Sequence, residues 1–169
     1  KIENPLHSRK SEGGPSVEQW EQELLGQVHE LARTRFVERA ADSDRAGALQ
    51  QENMAELKVL GIPGMGLEKS LGGLGIGAEA QMRIMEEVAY GDASTAVALN
   101  MHILIADLIA SFPPFARRNE VLQEIGQKGA LICGPGSIPT TELDNRKAGY
   151  RIREEGDHLV VNGRSGFAS

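Results

Sequence analysis

Phe167 and Ser169, an aromatic ring and a hydroxyl, lie two residues apart near the end of the chain. Successive side chains of a β-strand point to opposite faces, so residues spaced by two share one face. The run DHLVVNG, residues 157–163, precedes the pair and alternates polar and apolar side chains like a half-buried strand ending in an Asn-Gly turn. Taken alone, ordinary strand packing is the favoured interpretation of the pair.

A second candidate is GIGAEA, residues 75–80, which fits the G-x-G-x-x-A form of a dinucleotide-binding fingerprint. That fingerprint works only when a hydrophobic strand runs into the glycines, so that the amino end of a helix meets the pyrophosphate. The preceding residues, GMGLEKSLGG, cannot form a buried strand. We therefore interpret the glycines as tight turns before a helix.

The remaining chemical side chains favour structural roles. His102 lies in an apolar helix near Asn100 and Asp107, and we predict a hydrogen-bonded core histidine rather than a ligand or a base. Cys133, the single cysteine, lies in the apolar run ALIC and is predicted to be a small buried hydrophobe. The other histidines are too scattered for a metal-site spacing, so we expect no metal. Adjacent carboxylates such as Glu86-Glu87 point in different directions on a helix and are expected to be solvated.

The charge balance excludes one class of partner. The chain has 169 residues with 18 basic and 24 acidic side chains, a net charge of -6. A nucleic-acid surface needs a concentrated basic face. The longest basic runs, Arg117-Arg118 and Arg146-Lys147, are isolated and are predicted to be solvated surface. We therefore expect no nucleic-acid partner.

Residues 93–112 are the most apolar stretch, but Asn100, His102 and Asp107 interrupt them. A spanning helix needs about 18 or more apolar residues with few charges. No pattern typical of a signal peptide is present, and one cysteine allows no intrachain disulfide. We expect a cytoplasmic protein without a membrane span.

These side chains are positioned by a helical region. Residues 1–15 are polar and aperiodic and are expected to be a flexible arm. Ser16 and Gln19 form a capping box that starts the first helix, and Gly61 can end the second in the left-handed conformation. Apolar periodicity predicts five helices over 16–42, 50–60, 78–90, 94–111 and 119–128.

In two of these helices the distribution of apolar side chains around the helix is informative. In the third, Met82, Met85 and Ala89 share one side. The fourth is apolar nearly all round, which predicts a helix buried at the centre of a bundle.

After Gly129 the pattern changes to strands. ALIC suits a buried strand, and residues 150–154 and 158–161 predict two strands around Gly156-Asp157. The predicted fold class is α+β, an all-α helical bundle followed by an incomplete antiparallel β-barrel domain. The predicted domains are a helical domain over 16–129 and the beginning of a middle β domain over 130–169.

The order of these segments resembles the acyl-CoA dehydrogenase family. The run LARTRFVERAADSDRAG is followed by MAELKVLGIPGM, by LEKSLGGLGIG with the family's "GGLG" element, and by EEVAYGDAST before the apolar helix. EIGQKGALICGPGS resembles the crossing into the family's middle β-barrel domain, and YRIREEGDHLVVNGRSGFAS resembles the hairpin that carries "NG-x-K-x-W-I-T". The resemblance covers roughly residues 20–169.

The resemblance implies FAD as the cofactor. Phe167 falls where the family's flavin-stacking tryptophan stands, and Ser169 where a threonine hydrogen-bonds near the hydride-accepting nitrogen. An aromatic face suits a flat ring, and a hydroxyl can polarise it. In GPGS, Ser137 matches one of the family's cofactor or substrate hydroxyls, while Gly134 and Gly136 offer backbone amides.

The resemblance also implies what lies outside the chain. Family members are more than twice as long, and their carboxyl-terminal bundle supplies the catalytic glutamate base, much of the FAD contact and the tetramer core. No residue of this chain is therefore predicted to be the base, and the 169-residue chain alone is expected to be inactive. A homotetramer, an acyl-CoA or related substrate and an electron-transfer partner are expected of the complete protein.

The function predicted from this resemblance is the amino-terminal part of an FAD-dependent acyl-CoA dehydrogenase of fatty acid metabolism. Two alternatives stay open. ICGPGSIPTTELD and FAS depart from the family's "L-T-E-P-G-x-G-S-D" and "W-I-T", which favours a flavin-dependent monooxygenase of the same fold. A non-catalytic helical binding or scaffold module is the other, because the chain ends within the sheet.

Overall fold

The computed structural model describes residues 19–134 and 150–163. Within that part of the chain, six α-helices precede one β-hairpin. The helices are α1 (Gln19–Leu31), α2 (Val37–Ala46), α3 (Gln51–Val59), α4 (Ala78–Gly91), α5 (Ala93–Ser111) and α6 (Arg118–Lys128), and the strands are β1 (Tyr150–Glu155) and β2 (His158–Gly163). A helical domain with a small antiparallel sheet confirms the predicted fold class. The predicted domain boundary at 129–130 stays a prediction.

The predicted first helix is observed as α1 and α2 joined by a π-helical turn, Ala32–Phe36. The turn lies where α4 crosses: a Cβ added at Gly91 would be 2.7 Å from the carbonyl oxygen of Ala32. An inserted residue shifts the backbone locally and lets the two helices approach closely. The helix ends at Gly47, which has a φ of 60°. The predicted cap at Ser16 lies outside the described residues.

The second predicted helix and its terminator are confirmed. Helix α3 buries Met54 and Leu57, and Gly61 follows it in the left-handed conformation with a φ of 74°. The loop after it contains two short 3-10 turns, Ile62–Gly64 and Lys69–Leu71.

Helix α4 packs through a different side from the one that carries Met82, Met85 and Ala89. The buried residues are Ala80, Ile84 and Val88, whereas Met82 is 73% exposed. Helix α4 carries two apolar stripes at helical spacing, and periodicity alone does not choose between them. The packed stripe is the one that includes Gly91, because only there can α1 and the π turn come into contact.

Helix α5 is buried on one side only, so the expectation of a fully surrounded helix is wrong for the described residues. Thr95, Leu99 and His102 are buried, while Val97 is 65% exposed and Leu104 is exposed as well. By length and composition α5 could also cross a membrane, with a mean hydropathy of 1.6 over its best window. Core helices of soluble proteins can have the same length and composition, so these features do not identify a membrane span. The absence of a membrane span stays a prediction.

Residues 130–133 do not form the predicted strand. Leu131 and Cys133 are exposed, so the prediction of a buried Cys133 is also wrong. An apolar run becomes a strand only when a neighbour takes its ladder hydrogen bonds. Here the amide of Ile132 donates to a side chain, His102, instead.

The predicted hairpin is confirmed, with antiparallel pairing from Tyr150 opposite Gly163 to Glu155 opposite His158. Gly156 turns the chain with a φ of 65°. The predicted Asn162-Gly163 turn is instead the paired end of β2. One face carries exposed apolar side chains, Ile152, Leu159 and Val161, which no described residue covers.

Candidate functional site

Of the five predicted cofactor contacts, only Gly134 lies in the described part of the chain; Gly136, Ser137, Phe167 and Ser169 lie outside it. Gly134 rests against α5, where a Cβ would be 2.5 Å from Cδ1 of Ile105. A side chain at this position would therefore require the Ile105 side chain or the segment to shift.

The outer side of α5 borders two grooves. The first, of about 880 Å³, lies between α4 and α5 and is mainly apolar. Its lining combines methionine and aliphatic side chains with a polar rim: Met65, Ala78, Glu79, Gln81, Met82, Arg83, Met85, Glu86, Ala89, Ala96, Val97, Asn100 and Ile103. Met82 and Met85, which share one side of α4, therefore line an open groove.

The second groove, of about 800 Å³, lies on the other flank of α5. It is bounded by the end of α2, the start of α5 and residues 131–133, and its lining includes the exposed Cys133 thiol. Val97 borders both grooves. Together they form a continuous apolar border along one helix, the kind of surface that binds apolar ligands.

The amino end of α5 is held by buried polar side chains. Asp92 Oδ1 accepts from the Ser94 amide at 3.1 Å, which caps the helix. Its Oδ2 accepts from the Thr95 hydroxyl at 2.6 Å and from Asn53 Nδ2 at 3.2 Å. Asn53 Oδ1 in turn accepts from Arg39 at 3.0 Å. The sequence analysis missed this network, although an Asp directly before an apolar helical run is a recognisable N-cap signal.

An ion cluster extends the network to the surface. Arg39 and Arg35 both pair with Glu56, at 3.0 Å and 2.6 Å. The hydrogen bond from Arg39 lowers the pKa of Glu56 below its ordinary value and outweighs the opposing effect of burial. This cluster ties α3 to the helix formed by α1, the π turn and α2.

The carboxyl end of α5 is also capped by a side chain. Arg118 donates from Nε to the carbonyl of Ile109 at 3.1 Å, and from Nη2 to that of Ala110. The prediction of solvated surface is therefore wrong for Arg118. It is confirmed for Arg117, an exposed residue that pairs with Glu120, while Arg146-Lys147 lies outside the described residues. Both ends of α5 are thus fixed by tertiary hydrogen bonds.

His102 is the hydrogen-bonded core histidine that was predicted, 2% exposed. Its Nε2 lies 2.8 Å from the carbonyl oxygen of Pro63, and its Nδ1 accepts from the Ile132 amide at 3.0 Å. Nearby, burial raises the pKa of the Asp107 carboxyl above its ordinary value.

The glycine-rich GIGAEA stretch follows a 3-10 turn and loop rather than a strand, as interpreted from the sequence. The amide of Gly77, at the start of α4, donates to Glu21 Oε1 at 3.3 Å. In residues 19–134 and 150–163, no three His, Cys, Asp or Glu side chains gather as metal ligands.

The described end of the predicted cofactor segment has free donors. Among the described residues, the amides of Cys133 and Gly134 donate no hydrogen bond. FAD presents acceptor oxygens and nitrogens on its ring and phosphates, and backbone N–H groups are common partners for such atoms. The donor chemistry at this end of the segment therefore fits a flavin nucleotide.

Comparison with known proteins places these features in context. The family model described as "Acyl-CoA dehydrogenase, N-terminal domain" matches residues 18–128. Over 144 residues the chain is 28% identical to 3-sulfinopropanoyl-CoA desulfinase of Variovorax paradoxus, covering 83% of this chain and 35% of that protein. It is 24% identical over 126 residues to the mitochondrial isobutyryl-CoA dehydrogenase of Dictyostelium discoideum, covering 75% and 30%.

Among solved structures, the glutaryl-coenzyme A dehydrogenase glutaryl-CoA complex matches with a TM-score of 0.78 and 22% identity, covering 92% of this chain and 40% of that one. At this identity the match shows a shared fold. The chain spans about a third of the length of the curated relatives it matches.

Proposed function

The chain belongs to the acyl-CoA dehydrogenase family, as its amino-terminal domain, and from that premise we propose that it is part of an FAD-dependent acyl-CoA dehydrogenase. The complete enzyme would introduce a double bond between the α and β carbons of an acyl thioester. The names of the relatives agree on an acyl-CoA compound as the substrate class. The chain alone would be inactive, because it contributes no catalytic base.

The observation that carries this proposal is the exposed apolar surface on the outer side of α5. Val97 and Leu104 are exposed apolar side chains on a helix whose opposite side is packed. An open apolar groove flanks the helix on each side. A hydrocarbon chain gains about 0.8 kcal/mol for each methylene group that it removes from water. This side of α5 would therefore act as a wall of the acyl pocket, hereafter the acyl wall.

The polar contacts at both ends of α5 would serve this role. A wall that selects acyl chains must hold its side chains in fixed positions. Asp92 and Arg118 would contribute to this by holding the two ends of α5. By excluding water, the wall would also strengthen electrostatic stabilisation of the charge that develops on the thioester oxygen.

FAD, when bound, would accept the hydride that leaves the β carbon. In this chain Phe167 would cover its ring and Ser169 would hydrogen-bond at its edge, while Gly134, Gly136 and Ser137 would supply donors. We also propose a cytoplasmic homotetramer that passes electrons to a separate electron-transfer protein. These assignments come from the family resemblance.

A monooxygenase of the same fold is the second candidate, favoured by GPGSIP and FAS where the family has other residues. The two reactions differ in how reduced flavin is reoxidised. A monooxygenase would transfer one oxygen atom of O2 to its product, whereas a dehydrogenase would deliver electrons to an acceptor.

The proposal is tested by adding acyl-CoA thioesters of increasing length to the complete FAD-loaded protein without oxygen. A dehydrogenase should lose its visible flavin absorbance with at least one thioester and regain it when an electron acceptor is added. If no thioester bleaches the flavin, while an external reductant does, the dehydrogenase assignment is wrong. An oxygen-containing product on reoxidation in air would support the monooxygenase instead.

A further inference from the structure

His102 joins two parts of the chain that are far apart in sequence. Pro63 offers a carbonyl oxygen, which can only accept, and Ile132 offers an amide, which can only donate. The imidazole therefore carries its hydrogen on Nε2 and leaves Nδ1 as a lone-pair acceptor. The ring and its bond to Pro63 are buried, and the bond from Ile132 is partly buried, so leaving either unmade costs more than at the surface.

The segment of residues 131–134 depends on this histidine. It has no regular secondary structure, and the bond from Ile132 to His102 is the one hydrogen bond that its amides donate to described residues. Apolar contacts assist it, since Ile132 packs on the cluster around Leu122 and Gly134 rests on Ile105. Such contacts hold a segment close to a helix without fixing its position along the helix.

The same helix presents the acyl wall on its other side. Met101, the neighbour of His102, lines the groove that residues 131–133 also border. The amides of Cys133 and Gly134 follow directly from the anchored Ile132. One side chain thus sets the distance between the wall of the acyl pocket and the start of the predicted cofactor segment.

We propose that His102 is a positioning residue, which fixes the cofactor segment to α5 through the acceptor Nδ1. This inference rests on the proposed function for its consequence, namely tighter FAD binding. The hydrogen bond itself can be tested without flavin.

Two substitutions separate the two nitrogens. Asn places its side-chain oxygen close to where Nδ1 lies, so His102→Asn keeps an acceptor for Ile132 and loses the donor to Pro63. Gln places its amide nitrogen close to Nε2, so His102→Gln keeps the donor and loses the acceptor. If His102 had a purely structural role, both variants would lose stability according to the packing that each loses. If His102 positions the segment, the Gln variant alone should lose the anchor of Ile132.

Exchange of the Ile132 amide with solvent, followed by NMR or mass spectrometry, is the first measurement. We expect at least about tenfold faster exchange in His102→Gln than in His102→Asn, the ratio that corresponds to one hydrogen bond. The dissociation constant for FAD, measured by quenching of flavin fluorescence, should rise by a similar factor in the Gln variant alone. Equal exchange rates in the two variants would overturn the proposal.

A backbone pair covers the case in which His102 variants do not fold. Ile132→Pro removes the donated amide and leaves the imidazole intact, whereas Leu131→Pro removes an amide that donates to no described residue. FAD affinity should fall in the first variant and stay near wild type in the second. Equal losses would overturn the proposal. If the complete wild-type protein bound no FAD, the proposed function would fail, and the amide exchange would still decide the role of His102.

Discussion

Val97 and Val59 are both exposed valines on helices, but only Val97 borders the grooves beside α5. Replacing Val97 by Asp should weaken binding of a long-chain acyl-CoA at least about tenfold, because burying a valine is worth about 1.5–3 kcal/mol. Titration calorimetry of the complete FAD-loaded protein would measure the dissociation constant of the acyl-CoA. Val59→Asp, at a position 86% exposed, is the matched control. Equal weakening by both substitutions would contradict the acyl wall.

Gly91 tests the close crossing of α4 and the π turn. An added Cβ would meet backbone and side-chain atoms of Ala32 and Phe36 at 2.7–2.9 Å, so Gly91→Ala should destabilise the fold by about 1–3 kcal/mol. Gly26→Ala, within α1 and with nothing within 4 Å, should instead stabilise it by about 0.5–1 kcal/mol. Urea unfolding followed by circular dichroism measures both. A neutral Gly91→Ala would mean that the helices are not in contact there.

For individual residues, the sequence predicted roles that depend on residue type. It did not predict contacts with partners that are distant along the chain. The hydrogen-bonded state of His102 followed from its place in an apolar helix. Its acceptor partnership with Ile132 did not, because that contact spans 30 positions. Cys133 was predicted to be buried from its apolar neighbours, but Leu131 is exposed as well, and only Ile132 packs on the core.

Among the elements, the tie between α3 and the first helix predicts a pH-dependent stability. The folded-state pKa of Glu56 is lowered, chiefly by its hydrogen bond from Arg39. Its contribution is therefore complete above the ordinary carboxyl value of 4.5 and disappears as pH falls through the lowered folded-state value.

Glu56→Gln should accordingly cost about 1–2 kcal/mol in unfolding free energy near neutral pH, and the difference from wild type should shrink in acid. Urea unfolding at a series of pH values measures it. Glu79→Gln removes an exposed pair with Arg83 on one helix and should cost at most about 0.5 kcal/mol. A Glu56→Gln deficit that grows in acid would contradict the account.

Helix positions could be predicted because caps and apolar spacing are local signals. The π turn could not be predicted from local signals, because it lies where another helix, α4, packs closely at Gly91. The packed face of α4 could not be predicted because its two stripes are equally periodic, and only the packing of α1 distinguishes them. The missing strand at 130–133 shows the same limit, since a strand requires a partner that an apolar run does not specify.

At the scale of the molecule, two apolar surfaces have no cover among the described residues: the outer side of α5 and the hairpin face with Ile152, Leu159 and Val161. The order of segments was enough to predict the family and the fold, both confirmed. Most of the predicted cofactor contacts lie outside the described residues, so that part of the site remains a prediction.

The central claim is that the complete protein oxidises an acyl thioester. The most direct measurement is the mass of acyl-CoA recovered after incubation with the FAD-loaded protein and an electron acceptor. The account predicts a product that has lost two hydrogen atoms, with a double bond next to the thioester. An unchanged thioester across all chain lengths, or a product that has gained one oxygen atom, would contradict it.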